Sequence, residues 1–360
     1  MSTAVLELDS LSVIASAAPS PHEVAVARRR LHRKAAVIAV LVAGSYWLLV
    51  LVETSVAVKV VAAVVLATSL VATATCVFHD GNHGSFSSSR VVNRLAGYTG
   101  DLMGASSWIW RFKHNNLHHG NTNVVGVDAD IDQAPFARLT PDQPWQPWHR
   151  YQHIYMWVLY GFLTLQWFLI SDFVDLSHHG VRGHPFPHQP RRRDKAGLAI
   201  GKLLHVGWAV ALPLVFHRWW VVLVFYLAIS WTVGLLLATM FQLAHCTALA
   251  DFPSDDSPRR GAHFLEHQLR TTIDVRSRTR TGGRALHWMM GGLDYQVEPH
   301  LAPRLPHTVY PISAPRLERI CADRGFEVRS FASPWQAVRS HGRWLRVMGA
   351  RPASSSVGRD

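Results

Sequence analysis

Two short runs, His79-Asp80-Gly81-Asn82-His83 and His114-Asn115-Asn116-Leu117-His118-His119, hold five imidazoles at close spacing. Residues four apart share a helix face, so His79 with His83 and His114 with His118 can each present paired nitrogen donors, with His119 beside them. His245 and His300 extend the set to seven. Seven imidazoles exceed what one tetrahedral zinc uses and suit two first-row metal ions in an all-nitrogen environment. Iron is the candidate whose redox chemistry exploits open coordination positions. Histidine ligands need acceptors behind them to fix ring orientation, and Asp80, Asp101, Asp128, Asp130, Asp274 and Asp294 are available for that work. His267, four residues after His263, reads as outer support or tunnel lining, whereas His178, His179, His184 and His188 fall in a Pro-rich basic loop and read as surface. The three cysteines, Cys76, Cys246 and Cys321, are widely spaced with no CxxC, so neither a disulfide framework nor a thiolate zinc site is encoded.

The elements that must position these donors are apolar. Ala35 to Val52 carries no charge, and Val56 to Phe78 carries only Lys59, close to its start. Both are long enough to cross a bilayer. A second pair is expected at Leu203 to Phe216 and Trp219 to Ala244. The fold class that follows is an all-α integral membrane protein, with about four transmembrane helices in two hairpins plus interfacial helices and a cytoplasmic helical cap holding the histidines. Ile154 to Ile170, rich in Trp and Tyr, is expected to lie in the interface, because a crossing there would put His245 and His300 on the opposite side from the first two runs. The organisation reads as a cytoplasmic segment 1–34, a membrane domain 35–325 and a cytoplasmic tail 326–360. Arg28, Arg29, Arg30, Arg33 and Lys34 precede the first span and place the N-terminus, and with it the histidines, on the cytoplasmic side. The segment before Ala35 lacks the pattern of a cleaved signal peptide. The net charge of +12 flanks the spans and no nucleic-acid module is present, so nucleic-acid binding is excluded as the function.

Histidines where spans meet the aqueous side suit oxidation of a hydrocarbon tail, which needs oxygen activated at a metal beside an apolar cavity. The boxes themselves are similar to those of a known family. His79-Asp80-x-x-His83, His114-Asn115-x-x-His118-His119-x-x-Thr122-Asn123, Gln268-Leu269-Arg270-Thr271-Thr272 and Gly291-Gly292-Leu293-x-Tyr295-Gln296-Val297-Glu298 resemble the membrane fatty acid desaturases, in the branch whose third box begins with Gln. That resemblance covers roughly residues 35 to 325. It implies a non-haem diiron centre (two Fe ions) held by His79, His83, His114, His118, His119, His245 and His300, with O2 as co-substrate and Gln296 orienting or completing the shell. The implied substrate is a long acyl chain on a membrane lipid or a thioester carrier. No His-Pro-Gly-Gly haem motif occurs, so the electron donor, a ferredoxin or a cytochrome b5-type protein, is expected to be separate. The third box departs from the family pattern. Pro299 stands where a histidine is usual and offers no nitrogen donor, and Asp294 stands where Asn is usual, bringing a possible negative charge near the metals. The alternatives are a related hydroxylase, acetylenase or epoxidase on a specialised acyl substrate, or a metal-poor lipid-binding homologue.

Overall fold

The computed structural model describes residues 12–257, 259–276 and 280–352, and helices dominate it. Helix α1, Pro21–Val50, opens on a capping box in which Ser20 Oγ accepts from the Glu23 amide at 3.3 Å and Glu23 Oε2 accepts from the Ser20 amide at 2.8 Å. That box, with Pro21 at the first helical position, starts the helix well before the apolar run at Ala35. Residues 51–55 connect it to α2, Val56–His83, which Ser55 caps. The two pack through Leu49, Val50, Ala62, Leu66 and Leu70, joined by Val233, Leu237 and Met240 from later in the chain. Helix α3, Arg90–Gly97, crosses the end of α2 so closely that a Cβ on Gly81 would lie 2.6 Å from the Gly97 amide nitrogen.

Helix α4, Ser107–Arg111, carries the second histidine run at its end. Next come α5, Pro147–Tyr160, and α6, Leu163–Ser177, which meet at a bend of 73°. The bend falls at Gly161, where Trp231 and Gly234 of a later helix cross and leave no room for a side chain; Trp231 Nε1 donates to the Val158 carbonyl at 3.1 Å. The pair is therefore not one straight rod, and its exposed residues include Ile154, Val158, Leu169, Ile170 and Phe173.

Helices α7, Arg192–Phe216, and α8, Trp219–His245, complete four that are long and apolar enough to cross a membrane. Helix α7 starts before the expected Leu203 because Asp194 Oδ2 accepts from the Arg191 amide at 2.9 Å and caps it. Lys202 interrupts its apolar pattern, yet is buried and paired with Asp172 at 2.6 Å. Tertiary pairing thus hides a charge that shortened the hydropathy reading.

The remaining chain folds over the histidine-bearing ends of α2 and α8. It contains α9, Phe264–Thr271, α10, Arg280–Met290, α11, Val297–Leu301, α12, Tyr310–Asp323, and α13, Pro334–Gly349. Asp274–Val275 pairs in parallel with Ser330–Phe331, one of two short ladders among the described residues. Helix α13 is anchored by His341, whose Nδ1 lies 2.7 Å from the Cys246 carbonyl and whose Nε2 lies 2.8 Å from the Tyr160 hydroxyl. Residues 330–349 are therefore packed into the body.

Candidate metal centre

Regular α-helix does not set the histidine geometry alone. Helix α2 loosens into a π turn at Ala74–Phe78 immediately before His79, and α4 runs into a longer π segment, Phe112–His118. In the second, the His119 amide bonds the His114 carbonyl five residues back at 2.9 Å. π turns recur at functional sites because they re-aim side chains without ending the helix. Here the effect is to divide the second run. His114 and His119 join His79 and His83 in one group whose ligand atoms lie within 4.8 Å of one another, and His118 joins His245 and His300 in a second group of the same tightness. The expected pairing of His114 with His118 persists as ring stacking, with centroids 5.2 Å apart, and in a third grouping of the two with Asp130, but they contribute to different all-histidine groups. The fold brings together all seven histidines singled out in the sequence, and all are buried.

Each ring of the second group is anchored through Nδ1. His118 Nδ1 lies 3.0 Å from Asp128 Oδ2, and His245 Nδ1 lies 3.2 Å from the Thr271 carbonyl. His300 Nδ1 lies 3.0 Å from Thr122 Oγ1 and 2.9 Å from Gln268 Oε1. This outward anchoring is how proteins hold imidazoles whose other nitrogen serves a metal. In the first group, His114 Nε2 stands 3.3 Å from His79 Nε2 and 3.1 Å from His119 Nε2, and His83 Nε2 is buried without a partner among the described residues. Buried ring nitrogens facing one another lack a complement of donors and acceptors, and a shared cation resolves that mismatch. The donor set therefore fits a pair of first-row metal ions.

Electrostatics keep most of these rings neutral, the form that ligates. Burial pushes His114 down to about 3 and drives His119 and His300 well below the ordinary imidazole range. Burial acts on His118 in the same direction, but the Asp128 and Asp130 carboxylates outweigh it and raise that ring. Asp130 lies 3.6 Å from His118 Nδ1 and 3.9 Å from His114 Nδ1, and Lys113 holds it at 2.9 Å.

Asp80 sits 3.7 Å from His79 Nδ1 and 3.0 Å from His307 Nδ1, so it stands behind the first group. Asp274 accepts from the Gln296 amide at 2.9 Å and fixes the start of α11, which carries His300. Gln296 and Pro299 line the cavity that the histidines line. Asp294 is taken up by His287 at 3.0 Å and belongs to neither histidine group. His267 is buried beside Thr122 and is also outside both. Asp101 accepts from the Ser107 amide at 3.3 Å and caps α4.

Sequence reasoning missed three supports. Gln268, fully buried, bridges the boxes: Nε2 donates to the His119 carbonyl at 3.0 Å while Oε1 accepts from Thr122 Oγ1 at 3.1 Å and meets His300. His307 continues the line from Asp80 to the buried Lys34 ammonium, 2.9 Å from its Nε2. Gln242, one turn before His245 on α8, lines the histidine cavity with its Oε1 buried and unpartnered among the described residues. Gln268 lies in one of the boxes that carry the family resemblance, with no role read for it there, and no periodicity or spacing marks His307 or Gln242.

Comparison with known proteins agrees with this geometry. The family described as fatty acid desaturase matches residues 54–332, a stretch that contains both histidine groups. Over 296 residues the chain is 33% identical to the sn-1 linoleoyl-lipid 6-desaturase of Synechocystis sp., with 81% of each chain covered. It is 30% identical over 300 residues to the enzyme of the same name from Arthrospira platensis, covering 83% of this chain and 80% of that one. It is 35% identical over 280 residues to the acyl-lipid (8-3)-desaturase of Physcomitrium patens, covering 75% of this chain and 56% of the longer relative. With the histidine boxes, the four apolar helices and the matched length in agreement, the chain belongs to the fatty acid desaturase family.

Proposed function

We propose that this enzyme is an oxygen-dependent acyl-lipid desaturase whose two irons are held by His79, His83, His114 and His119 on one side and by His118, His245 and His300 on the other. The observation that carries the reading is the division of seven buried histidines into two tight groups, with the rings of the second anchored outward through Nδ1. When bound, the iron pair supplies the dioxygen chemistry needed to remove hydrogens from adjacent carbons of an acyl chain. The chain's own residues do the rest. Asp128, Thr122, Gln268 and the Thr271 carbonyl hold the second group's rings in one tautomer and orientation. Pro299 removes a donor from the third box, and the Gln242 oxygen, without a partner among the described residues, supplies a polar group to the same cavity. Phe241 and Leu293 line both the histidine cavity and the apolar space beside it, so water is excluded where the tail approaches.

The histidine-bearing ends of α2 and α8 and the basic start of α1 lie on the cytoplasmic side, in keeping with positive flanking charge. The bent pair α5–α6 lies along the interface. Electrons come from a separate ferredoxin or cytochrome b5-type donor on that side. The test is product analysis. Purified enzyme in lipid nanodiscs, loaded with ferrous iron and given oxygen and a reduced donor, is expected to introduce a double bond into the nanodisc lipid. A well-folded, iron-loaded enzyme that consumes oxygen only to hydroxylate or epoxidise would overturn the desaturase assignment.

A further inference from the structure

Three cavities in this chain adjoin a fourth through shared lining residues. The histidine cavity, about 20 Å³, shares His79, Phe241 and Leu293 with a connecting space of about 20 Å³. From there the path divides. One arm shares Met103 and Thr164 and opens into an apolar chamber of about 290 Å³ between the two halves of the membrane body, lined by residues such as Leu66, Leu70, Phe225 and Val233. The other shares Ala105, Trp110 and Trp167 and leads to a smaller chamber of about 70 Å³ of different character. Lys113, Gln133, Gln166, Ser171, Asp175 and Arg182 are among its lining residues.

The charges of this smaller chamber are largely spoken for. Lys113 is paired with Asp130 at 2.9 Å, Arg182 with Asp132 at 3.5 Å, and the lining residue Asp172 with Lys202 at 2.6 Å. Asp175 has no ion-pair partner among the described residues and adds a carboxylate. A free fatty acid or a phosphate entering here would meet like charge with no cation left to offset it. Asp175 apart, the polar side chains of the lining that carry no side-chain hydrogen bond among the described residues are neutral, among them the amide of the exposed Gln166 and the hydroxyl of the half-buried Ser171. An ester offers acceptor oxygens only, and it can take hydrogen bonds from the Gln166 amide nitrogen and the Ser171 hydroxyl, which methylenes cannot. The chamber also adjoins the exposed apolar side of α6, where Leu169, Ile170, Phe173 and Val174 face outward. A lipid can therefore deliver a tail from the bilayer without leaving it.

We infer that the polar chamber seats the uncharged ester end of an acyl lipid, with Gln166 and Ser171 as its hydrogen-bonding groups, while the methyl end extends past Met103 and Thr164 into the large apolar chamber. This rests on the desaturase reading and assigns the ends of its substrate. The geometry makes Trp110 and Trp167 the divide between the ester and the carbon facing the histidines.

The test is photoaffinity labelling of the full chain in nanodiscs with two neutral diacyl glycerolipids, one bearing a diazirine beside the ester and the other at the methyl end. The ester-end probe is expected to label peptides containing Gln133 or residues 163–182, and the methyl-end probe those around Tyr46–Lys59 or Val221–Ser230, both suppressed by excess unlabelled lipid. Gln166→Leu with Ser171→Ala should cut the ester-end label about fivefold, the scale of one or two lost hydrogen bonds. Reversed labelling, labelling that unlabelled lipid does not suppress, or equal suppression by free fatty acid would overturn the inference. Because the labelling requires no turnover, ordered labels without double-bond formation by the iron-loaded enzyme would sink the desaturase reading alone. Double bonds with reversed labels would sink this assignment alone.

Discussion

Replacing Gln268 with Leu removes a buried amide that ties three boxes together, and the consequence can be worked through bond by bond. The amide nitrogen leaves the His119 carbonyl, 3.0 Å away, without that donor. The amide oxygen leaves Thr122 Oγ1 and His300 Nδ1. Thr122 Oγ1 still reaches the His118 carbonyl at 3.0 Å, and His300 Nδ1 still reaches Thr122 at 3.0 Å, so only the His119 carbonyl loses this partner outright. One stranded buried acceptor costs about 1–3 kcal/mol of stability. Loosening the ring of His300 and the backbone of His119 should lower iron affinity about 10–100-fold, the range seen when the outer partner of a metal-bound histidine is lost. The assay is ferrous-iron titration of the purified apo-protein against a competing chelator, alongside thermal unfolding in the same detergent. Thr122→Val supplies the second arm of a double-mutant cycle. Its partners are shared, so the two substitutions together should deviate from additivity by about 0.5–3 kcal/mol. Iron affinity within twofold of the parent in Gln268→Leu, with only the unfolding temperature lowered, would refute the bracing role and leave Gln268 as ordinary core.

Other consequences can be checked independently. Asp128→Asn keeps the shape but removes the carboxylate 3.0 Å from His118 Nδ1, and about 10–100-fold weaker iron binding at the second group is expected by the same titration. Gly292 has a positive φ in the left-handed region, and a Cβ there would lie 2.5 Å from the His307 Cβ, so Gly292→Ala should cost about 1–3 kcal/mol from backbone strain before the clash is counted, read as a fall in unfolding temperature. His341 is held neutral by burial, its value lowered to about 4 from 6.5. Its depressed folded value means that the unfolded chain takes up the proton first; stability is full above about pH 6.5 and falls by about 3 kcal/mol as pH drops to 4. Protease release of α13 should accelerate through that window. His341→Gln should flatten the dependence, and an unchanged slope would show that another group is responsible.

Much of the site was legible because its signals are local. Histidines at helical spacing, charge-free runs long enough to span, and arginines before the first span are each readable from a short window. The split of His114 from His118 was not, because a π turn arises from packing around residues 112–118 and leaves no mark in residue type. Lys202 reads as the end of an apolar run, and only the fold supplies Asp172 to neutralise it. The bend at Gly161 likewise depends on Gly234 and Trp231, which lie far along the chain on α8. Gln268 reaches back to His119 and His307 to Asp80, across most of the membrane body in sequence, and no helical period can announce partners at that separation.

The most direct test of the whole account is iron stoichiometry in detergent-purified protein, measured by elemental analysis on the parent, His118→Ala and His119→Ala. If His79, His83, His114 and His119 form one site and His118, His245 and His300 the other, the parent holds two irons per chain. Each variant should then lose chiefly one, with Mössbauer spectra showing that the surviving iron differs between them. A parent that folds well yet holds no iron after anaerobic reconstitution, or variants that lose the same iron, would contradict the two-site arrangement.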